Sequence, residues 1–284
     1  MSQSSTEQSH TPTGKHDLFD GVDQVVRESV RQSPININES EAVFDPALLS
    51  NPLKVTYPGK AQDGSLHLKN TGHTWKLSVG DPNFIIEGGP LFGRCQLDQI
   101  HAHWGPDNTV GSEHLVDHCA YAGEMHFVHW NTTKCESIDV APLHEDGLAV
   151  IGVFFKLGAP HPELQKLTDN LKKIRFSGQE AELKGEIPLD IRKLLPEDVT
   201  AYWTYEGSLT TPPYNDCVTW IVLKHHIEIS EDQMEAMRHL LSVKEAEAGT
   251  ESEACGKLTQ NYRPVQEQSR VKLRCGFNPG HDRC

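Results

Sequence analysis

Two short stretches constrain this chain more than any others: Gln99-Ile100-His101-Ala102-His103-Trp104 and Glu124-Met125-His126-Phe127-Val128-His129-Trp130. Side chains in an extended strand alternate between faces, so His101 and His103 point the same way. In the second stretch Glu124, His126 and Val128 share one face, with Met125, Phe127 and His129 on the other. Between the stretches lie Gly105-Pro106-Asp107-Asn108 and Gly111, residues that favour turns. Two strands joined this way are expected to pair antiparallel, which brings three imidazoles to one point. Zinc takes nitrogen ligands at about 2.0–2.1 Å in a tetrahedron, and three protein ligands leave the fourth position open to water. With 16 histidines in the chain, one His-x-His pair can arise by chance. A third histidine, with a carboxylate two residues before it on the same face, lifts the pattern above chance.

Composition narrows the partners. The chain has 284 residues and a net charge of −14. Phosphates repel such a chain, which argues against nucleic acid or an anionic membrane surface. No run of 18 apolar residues is long enough to span a bilayer. The first thirty residues lack the basic start and apolar middle of a secretory signal, and they lack the arginine-rich character of a transit segment. The seven cysteines follow no CxxC or other regular spacing, so free thiols in a reducing compartment are expected. These observations lead to the expectation of a cytoplasmic protein.

Along the chain, residues 1–20 are polar and without apolar periodicity, and a disordered lead is expected there. Val22, Val25, Val26 and Val30 fit a short helix over 21–31. From Gln32 the pattern is mainly β. Alternation predicts strands at Ser33–Ile37, Leu53–Tyr57, Ser65–Lys69, His73–Leu77 and Asn83–Ile86, with turns at Pro58-Gly59, Asp63-Gly64 and Thr71-Gly72. Leu148–Phe155 is almost wholly apolar, as is Thr219–Leu223, and both read as strands buried on two faces. Leu164, Leu167, Leu171 and Ile174 recur at helical spacing behind Pro162, and Ser230 with Gln233 forms a capping-box pattern. Residues 244–256 read as a solvated loop. No repeat or linker divides the chain, so one domain over 21–278 with a tail at 279–284 is expected.

Further motifs accompany the histidine strands: Gln32-Ser33-Pro34-Ile35-Asn36-Ile37, Gly111-Ser112-Glu113-His114, Tyr202-Trp203-Thr204-Tyr205, Ser208-Leu209-Thr210-Thr211-Pro212-Pro213 and Asn261-Tyr262-Arg263-Pro264. In order and spacing, from about residue 31 to about residue 276, they resemble the α-class carbonic anhydrases. The resemblance implies a large, mostly antiparallel, twisted central sheet with a few short peripheral helices. It also implies reversible hydration of carbon dioxide to bicarbonate, with weak ester hydrolysis as a side activity and a monomeric state. His101, His103 and His126 would hold Zn2+. Neutral imidazoles leave the full metal charge, which lowers the pKa of bound water from 15.7 to about 7, a value established on carbonic anhydrases themselves. Gln99, Glu124 and the backbone carbonyl of Asn261 would accept the ligands' second N–H groups. Thr210, held by Glu113, would orient the nucleophile, and His73 would relay protons to buffer. Val128, Leu148, Val150, Leu209, Val218 and Trp220, with Thr211, would receive carbon dioxide. His114 and His129 read as structural, and His225 and His226 as exposed or packed.

The chain departs from the family pattern in three places. The Trp- and Tyr-containing lead before Gln32 is missing, and two cavity positions usually held by asparagine are Thr71 and Lys76, the latter adding a charge near the shuttle. No cysteine precedes Cys95 to pair with one near Thr-Thr-Pro-Pro, as secreted members have. Some members of the family lost a zinc histidine and serve as non-catalytic binding modules. Retention of all three histidines, Thr210 and Glu113 weighs against that alternative.

Overall fold

Apolar–polar alternation sets where strands form, and it does so over most of the chain. The computed structural model describes residues 31–62, 65–183, 189–249, 256–267 and 271–277. The expected lead at 1–20, the helix over 21–31 apart from Arg31, the turn at Asp63-Gly64 and the tail at 279–284 lie outside these residues.

In chain order the described strands are β1 (Asn36–Ile37), β2 (Val43–Phe44), β3 (Lys54–Thr56), β4 (Leu66–Asn70), β5 (Trp75–Val79), β6 (Ile85–Glu87), β7 (Cys95–Trp104) and β8 (Leu115–Val116). They continue with β9 (Gly123–Asn131), β10 (Leu148–Leu157), β11 (Glu180–Glu182), β12 (Tyr202–Gly207), β13 (Val218–Leu223), β14 (Ile227–Ile229) and β15 (Arg274–Cys275). Helices α1 (Pro46–Ser50), α2 (Pro162–Leu171) and α3 (Glu231–Arg238) lie between them. The strand expected from His73 starts at Trp75 instead. The Asn70 carboxamide accepts from Gly72 N and the Thr71 hydroxyl from His73 N and Thr74 N, a turn chemistry that competes with the ladder. His73 therefore sits in a turn.

A sheet of 13 strands runs in the order β11-β4-β5-β7-β9-β10-β13-β12-β15-β2, with β14 on β10, β6 on β7 and β3 on β6. Most pairings are antiparallel, as expected, but β10 pairs parallel with both β13 and β14. Parallel pairing explains the unbroken apolar runs, since a strand buried on both faces has no reason to alternate. The first eight residues of β10 and all six of β13 are buried.

Adjacent residues of β9 point to opposite faces, and each face carries its own apolar cluster. Met125 and Phe127 join Trp75, Trp104 and Ile100 in one, which α2 and α3 cover with Leu164, Leu167, Met234 and Met237. Val128 joins Leu148, Val150, Val218 and Trp220 in the other. Helix α3 has the capping box expected of it, and α2 opens at Pro162 as expected, with a cap at His161 that was not read in the sequence. His161 Nδ1 accepts from Leu164 N at 3.2 Å ahead of Pro162, and Ser230 and Gln233 form a reciprocal capping box.

His129 is a structural histidine of the first cluster. Its Nδ1–H donates to the Ala149 carbonyl at 3.2 Å and its Nε2 accepts from the Tyr57 hydroxyl at 2.6 Å. Burial pushes its pKa down to about 3, so the folded ring is neutral. A free histidine titrates near 6.5, so the unfolded chain binds the proton first as pH falls. Its contribution to stability is full above about pH 6.5 and is lost progressively toward pH 3. At pH 5 the loss is about 2 kcal/mol. Urea unfolding of His129→Gln, which does not titrate, is expected to lose about 2 kcal/mol less between pH 7.5 and pH 5 than the unchanged protein; equal losses would contradict this account.

Candidate metal centre

Strands β7 and β9 pair antiparallel, with His101 opposite His126 and His103 opposite Glu124. Their register shifts between Leu97 and Gln99, so that Leu97 opposes His129 while Gln99 opposes Val128. Asp98 is the extra residue of a β-bulge. Ahead of the bulge Leu97 shares the face of Phe127. After it Gln99, His101 and His103 share the face of His126 and Val128, and Ile100 and Ala102 take the core face. Without the bulge His101 would oppose Met125 and point into the core.

The three rings stand at centroid separations of 5.1, 5.2 and 4.7 Å, and one nitrogen from each lies within 4.8 Å of the others. A protein acceptor holds each ring by its other nitrogen. His101 Nδ1–H donates to Gln99 Oε1 at 2.9 Å, His103 Nδ1–H to the Asn261 carbonyl at 3.0 Å, and His126 Nε2–H to Glu124 Oε1 at 2.8 Å. An amide or carboxylate oxygen only accepts, so these partners set the tautomers. The lone pairs of His101 Nε2, His103 Nε2 and His126 Nδ1 are left to converge. His103 Nε2 is buried without any hydrogen-bond partner.

Burial lowers the pKa of all three rings. The other imidazoles and Lys76 add to the effect at His101, while Glu124 opposes it at His126. Neutral rings are the form that ligates metal. Three neutral nitrogen donors around one orphaned buried atom fit a divalent ion with an open coordination position. A second cluster, His114 with Glu124 and His126, also brings donor atoms together. Its atoms are already bonded to one another.

Glu124 anchors that second cluster. Its Oε1 accepts from His126 and from His114 Nδ1–H at 2.7 Å, and its Oε2 accepts the backbone N–H groups of Glu113 and His114 at 2.9 and 2.8 Å. Burial alone would raise its pKa, but the contacts with His114 and His126 outweigh burial and hold it well below the usual range. Opposite His126 on β10 stands Gly152, where an added Cβ would come within 3.0 Å of Glu124 Oε1. The glycine in an otherwise apolar run leaves room for this carboxylate.

Glu113 is buried beside the triad, with Oε1 3.2 Å from His103 Nδ1 and accepting from Arg263 N at 2.9 Å. Its Oε2 is 3.9 Å from His126 Nδ1 and makes no close hydrogen bond. Burial raises its proton affinity, which His126, the Thr210 hydroxyl and the Arg263 amide oppose. Thr210 and Thr211 line a cavity of about 800 Å³ together with His73, Gln99, His101 and His103. His73 is exposed in that cavity, with its carbonyl accepting from Asn261 Nδ2 at 2.9 Å. Val128, Leu148, Val150, Val218 and Trp220 lie in one buried cluster, against which Leu209 packs. Trp220 approaches the His126 ring at 4.9 Å between centroids. Of this group, the open cavity is lined by Thr211 alone.

Two roles went unread in the sequence. Arg263 uses its guanidinium on Gln32 Oε1 and the Ser33 carbonyl, at 3.0 and 2.6 Å, and stacks on Tyr214. The Tyr205 hydroxyl lies 2.6 Å from His114 Nε2 and 2.9 Å from Ser33 Oγ. Both fall inside motifs noted above, yet these hydrogen-bond partners are more than ninety residues away in sequence, beyond what local pattern reveals. Of the remaining histidines, His114 is fully bonded, His225 lies 3.4 Å from Asp198 on the surface, and His226 packs near Tyr121.

The sequence that builds this centre has relatives. A model of the eukaryotic-type carbonic anhydrase family matches residues 24–276. Carbonic anhydrase 5B, mitochondrial, of Mus musculus is 40% identical over 267 residues, covering 93% of this chain and 78% of its own length. Carbonic anhydrase 5A, mitochondrial, of Homo sapiens is 42% identical, covering 87% and 77% respectively. Carbonic anhydrase 7 of Homo sapiens is 42% identical, covering 85% and 86%. The three-histidine centre thus lies on a recognised enzyme scaffold, and the chain belongs to the eukaryotic-type carbonic anhydrase family.

The buried tyrosine hydroxyls have unequal weight. Tyr205→Phe leaves buried His114 Nε2 without its partner and is expected to cost about 1–3 kcal/mol in urea unfolding. Tyr202→Phe removes a buried hydroxyl that makes no hydrogen bond and is expected to cost less than about 0.5 kcal/mol. Equal costs would contradict the network as described.

Proposed function

We propose that this chain interconverts carbon dioxide and bicarbonate, as a monomer, with one Zn2+ held by His101, His103 and His126. The observation that carries the reading is the convergence of three neutral imidazoles, each fixed by a protein acceptor, on a buried nitrogen that has no other partner. When bound, the metal is a Lewis acid that brings the pKa of water to about 7, a value established on carbonic anhydrases, and so supplies hydroxide at neutral pH.

The chain's own residues do the rest. Gln99, Glu124 and the Asn261 carbonyl keep the imidazoles oriented and basic. Glu113 accepts a hydrogen bond from the Thr210 hydroxyl, which leaves the threonine oxygen to accept from the nucleophile and aim its lone pair at carbon dioxide. The cluster of Val128, Leu148, Val150, Leu209, Val218 and Trp220 is the dry surface, with no hydrogen bonds to satisfy, that would receive an uncharged gas, together with Thr211 from the cavity wall. Water adds to carbon dioxide to give bicarbonate, and the released proton leaves through His73, which is exposed to buffer in the same cavity. Slow hydrolysis of activated esters by the same nucleophile follows.

A reducing compartment, the cytosol, is part of the proposal. It is supported by the five described cysteines, Cys95, Cys119, Cys135, Cys217 and Cys275, all free thiols. No helix among the described residues is long and apolar enough to cross a membrane. Fractionation of cells expressing the chain is expected to leave it with cytosolic markers, and co-purification with mitochondria would overturn that assignment.

Dialysis against a strong zinc chelator is expected to abolish carbon dioxide hydration, and one equivalent of zinc to restore it. Metal-free protein that keeps its activity would end the mechanism. A zinc-loaded protein that never hydrates carbon dioxide would point to a binding module instead. In stopped-flow hydration at low buffer, His73→Ala is expected to be slowed at least about tenfold and rescued by added imidazole. A variant that is not slowed, or that imidazole does not rescue, removes His73 from the proton path.

A further inference from the structure

The cavity in front of the three histidines carries the opposite charge to the rest of the chain. The protein has a net charge of −14, yet among the described residues no aspartate or glutamate lines this cavity, and the formal charges there are Lys76 and Arg263. Arg263 is committed elsewhere, since its guanidinium donates to Gln32 and Ser33 and lies 4.0 Å from the Tyr214 ring centre.

Lys76 is not committed. It stands on β5 directly opposite His101 of β7, on the same face of the sheet. Directly opposed side chains in an antiparallel pair have Cβ atoms about 4.5–5.5 Å apart. On its other side Lys76 opposes Lys69, and Lys69 is neutralised by Glu180 at 2.6 Å. Lys76 itself has no ion pair among the described residues. Beyond what burial does to Asp98 and His101, its positive charge is felt at both. Gln99 lies diagonally across from it. Because Gln99 Oε1 accepts from His101, the other end of that carboxamide is its donor, and this NH2 has no acceptor among the described residues.

We propose that Lys76, with the Gln99 amide beside it, forms an anion-holding subsite on the cavity wall that captures bicarbonate and other small monoanions in front of the histidine centre. For bicarbonate the proposal rests on the reaction assigned above. An ammonium group a few ångströms from a monoanion in a partly dry cleft attracts it, and the focused field raises its local concentration. Carbon dioxide carries no net charge and gains nothing from Lys76. The residue therefore acts on one side of the reaction, favouring bicarbonate entry in dehydration and holding bicarbonate back in hydration.

The test uses the full-length zinc-loaded protein with Lys76→Gln, which removes the charge, and Lys76→Arg, which keeps it. Azide serves as the probe monoanion, and the infrared band of bound azide reads affinity without turnover. Carbon dioxide hydration and bicarbonate dehydration are measured alongside. Lys76→Gln is expected to weaken azide binding and raise the KM for bicarbonate, each about fivefold, while the KM for carbon dioxide stays unchanged. Lys76→Arg restores both values, and the gap between Lys76→Gln and the unchanged protein narrows as ionic strength rises. Wild-type azide affinity in Lys76→Gln overturns the subsite. So does an equal rise in both KM values, which marks general damage to the cavity. If the zinc-loaded protein shows no hydration at all, the assigned reaction fails and azide alone decides. Weakened binding rescued by arginine then upholds the subsite, and undiminished binding overturns it.

Discussion

The register of β7 against β9 is the constraint on which this molecule depends. Directly opposed residues of an antiparallel pair share a face, so a shift of one residue sends every following side chain to the other side. The extra residue at Asp98 makes that shift inside β7. It lets a single strand contribute Leu97, Ile100 and Ala102 to one apolar cluster and still present Gln99, His101 and His103 to the other face. The bulge joins a packed core to a polar centre within ten residues.

A buried polar centre is costly unless every group in it is matched. Glu124 shows how that cost is met here: its two oxygens accept four hydrogen bonds, two from imidazoles and two from backbone amides. The chain Glu124–His114–Tyr205–Ser33 carries the match to the Gln32-Ser33-Pro34 segment, and Arg263 ties that segment to Glu113 from the opposite end of the sequence. Segments from opposite ends of the described chain thus meet beside the centre.

Much of this was legible in the residues. The period-2 placement of His101, His103 and His126 and the unbroken apolar runs of β10 and β13 are local patterns, and local patterns survive into the fold; the pairing of Gln99 and Glu124 with their histidines came from the family resemblance. The bulge was not read, although two consecutive polar residues, Asp98 and Gln99, break the alternation where it occurs. His73 was assigned to a strand and lies in a turn, because Asn70 and Thr71 offer the backbone hydrogen bonds that compete with the ladder. Tyr205 and Arg263 stayed unassigned because their partners are distant in sequence. The parallel pairings of β10 depend on where the chain returns after a long excursion, which no short window records. Lys76 was noticed as a departure, but its meaning needed Lys69 and Glu180 in place to show which of two neighbouring lysines is free.

The acceptors behind the three imidazoles have one more consequence. In small zinc domains the ion gathers its own ligands, and folding waits for it. Here an amide, a carboxylate and a main-chain carbonyl have already set the rings, each belonging to a strand or loop held by its own packing. If the centre takes the ion proposed above, synthesis of the polypeptide and acquisition of the ion are separable events. On that reading a finished molecule would wait for metal, lose it and take it up again without passing through the unfolded chain, and ion supply rather than refolding would set how much of it is loaded.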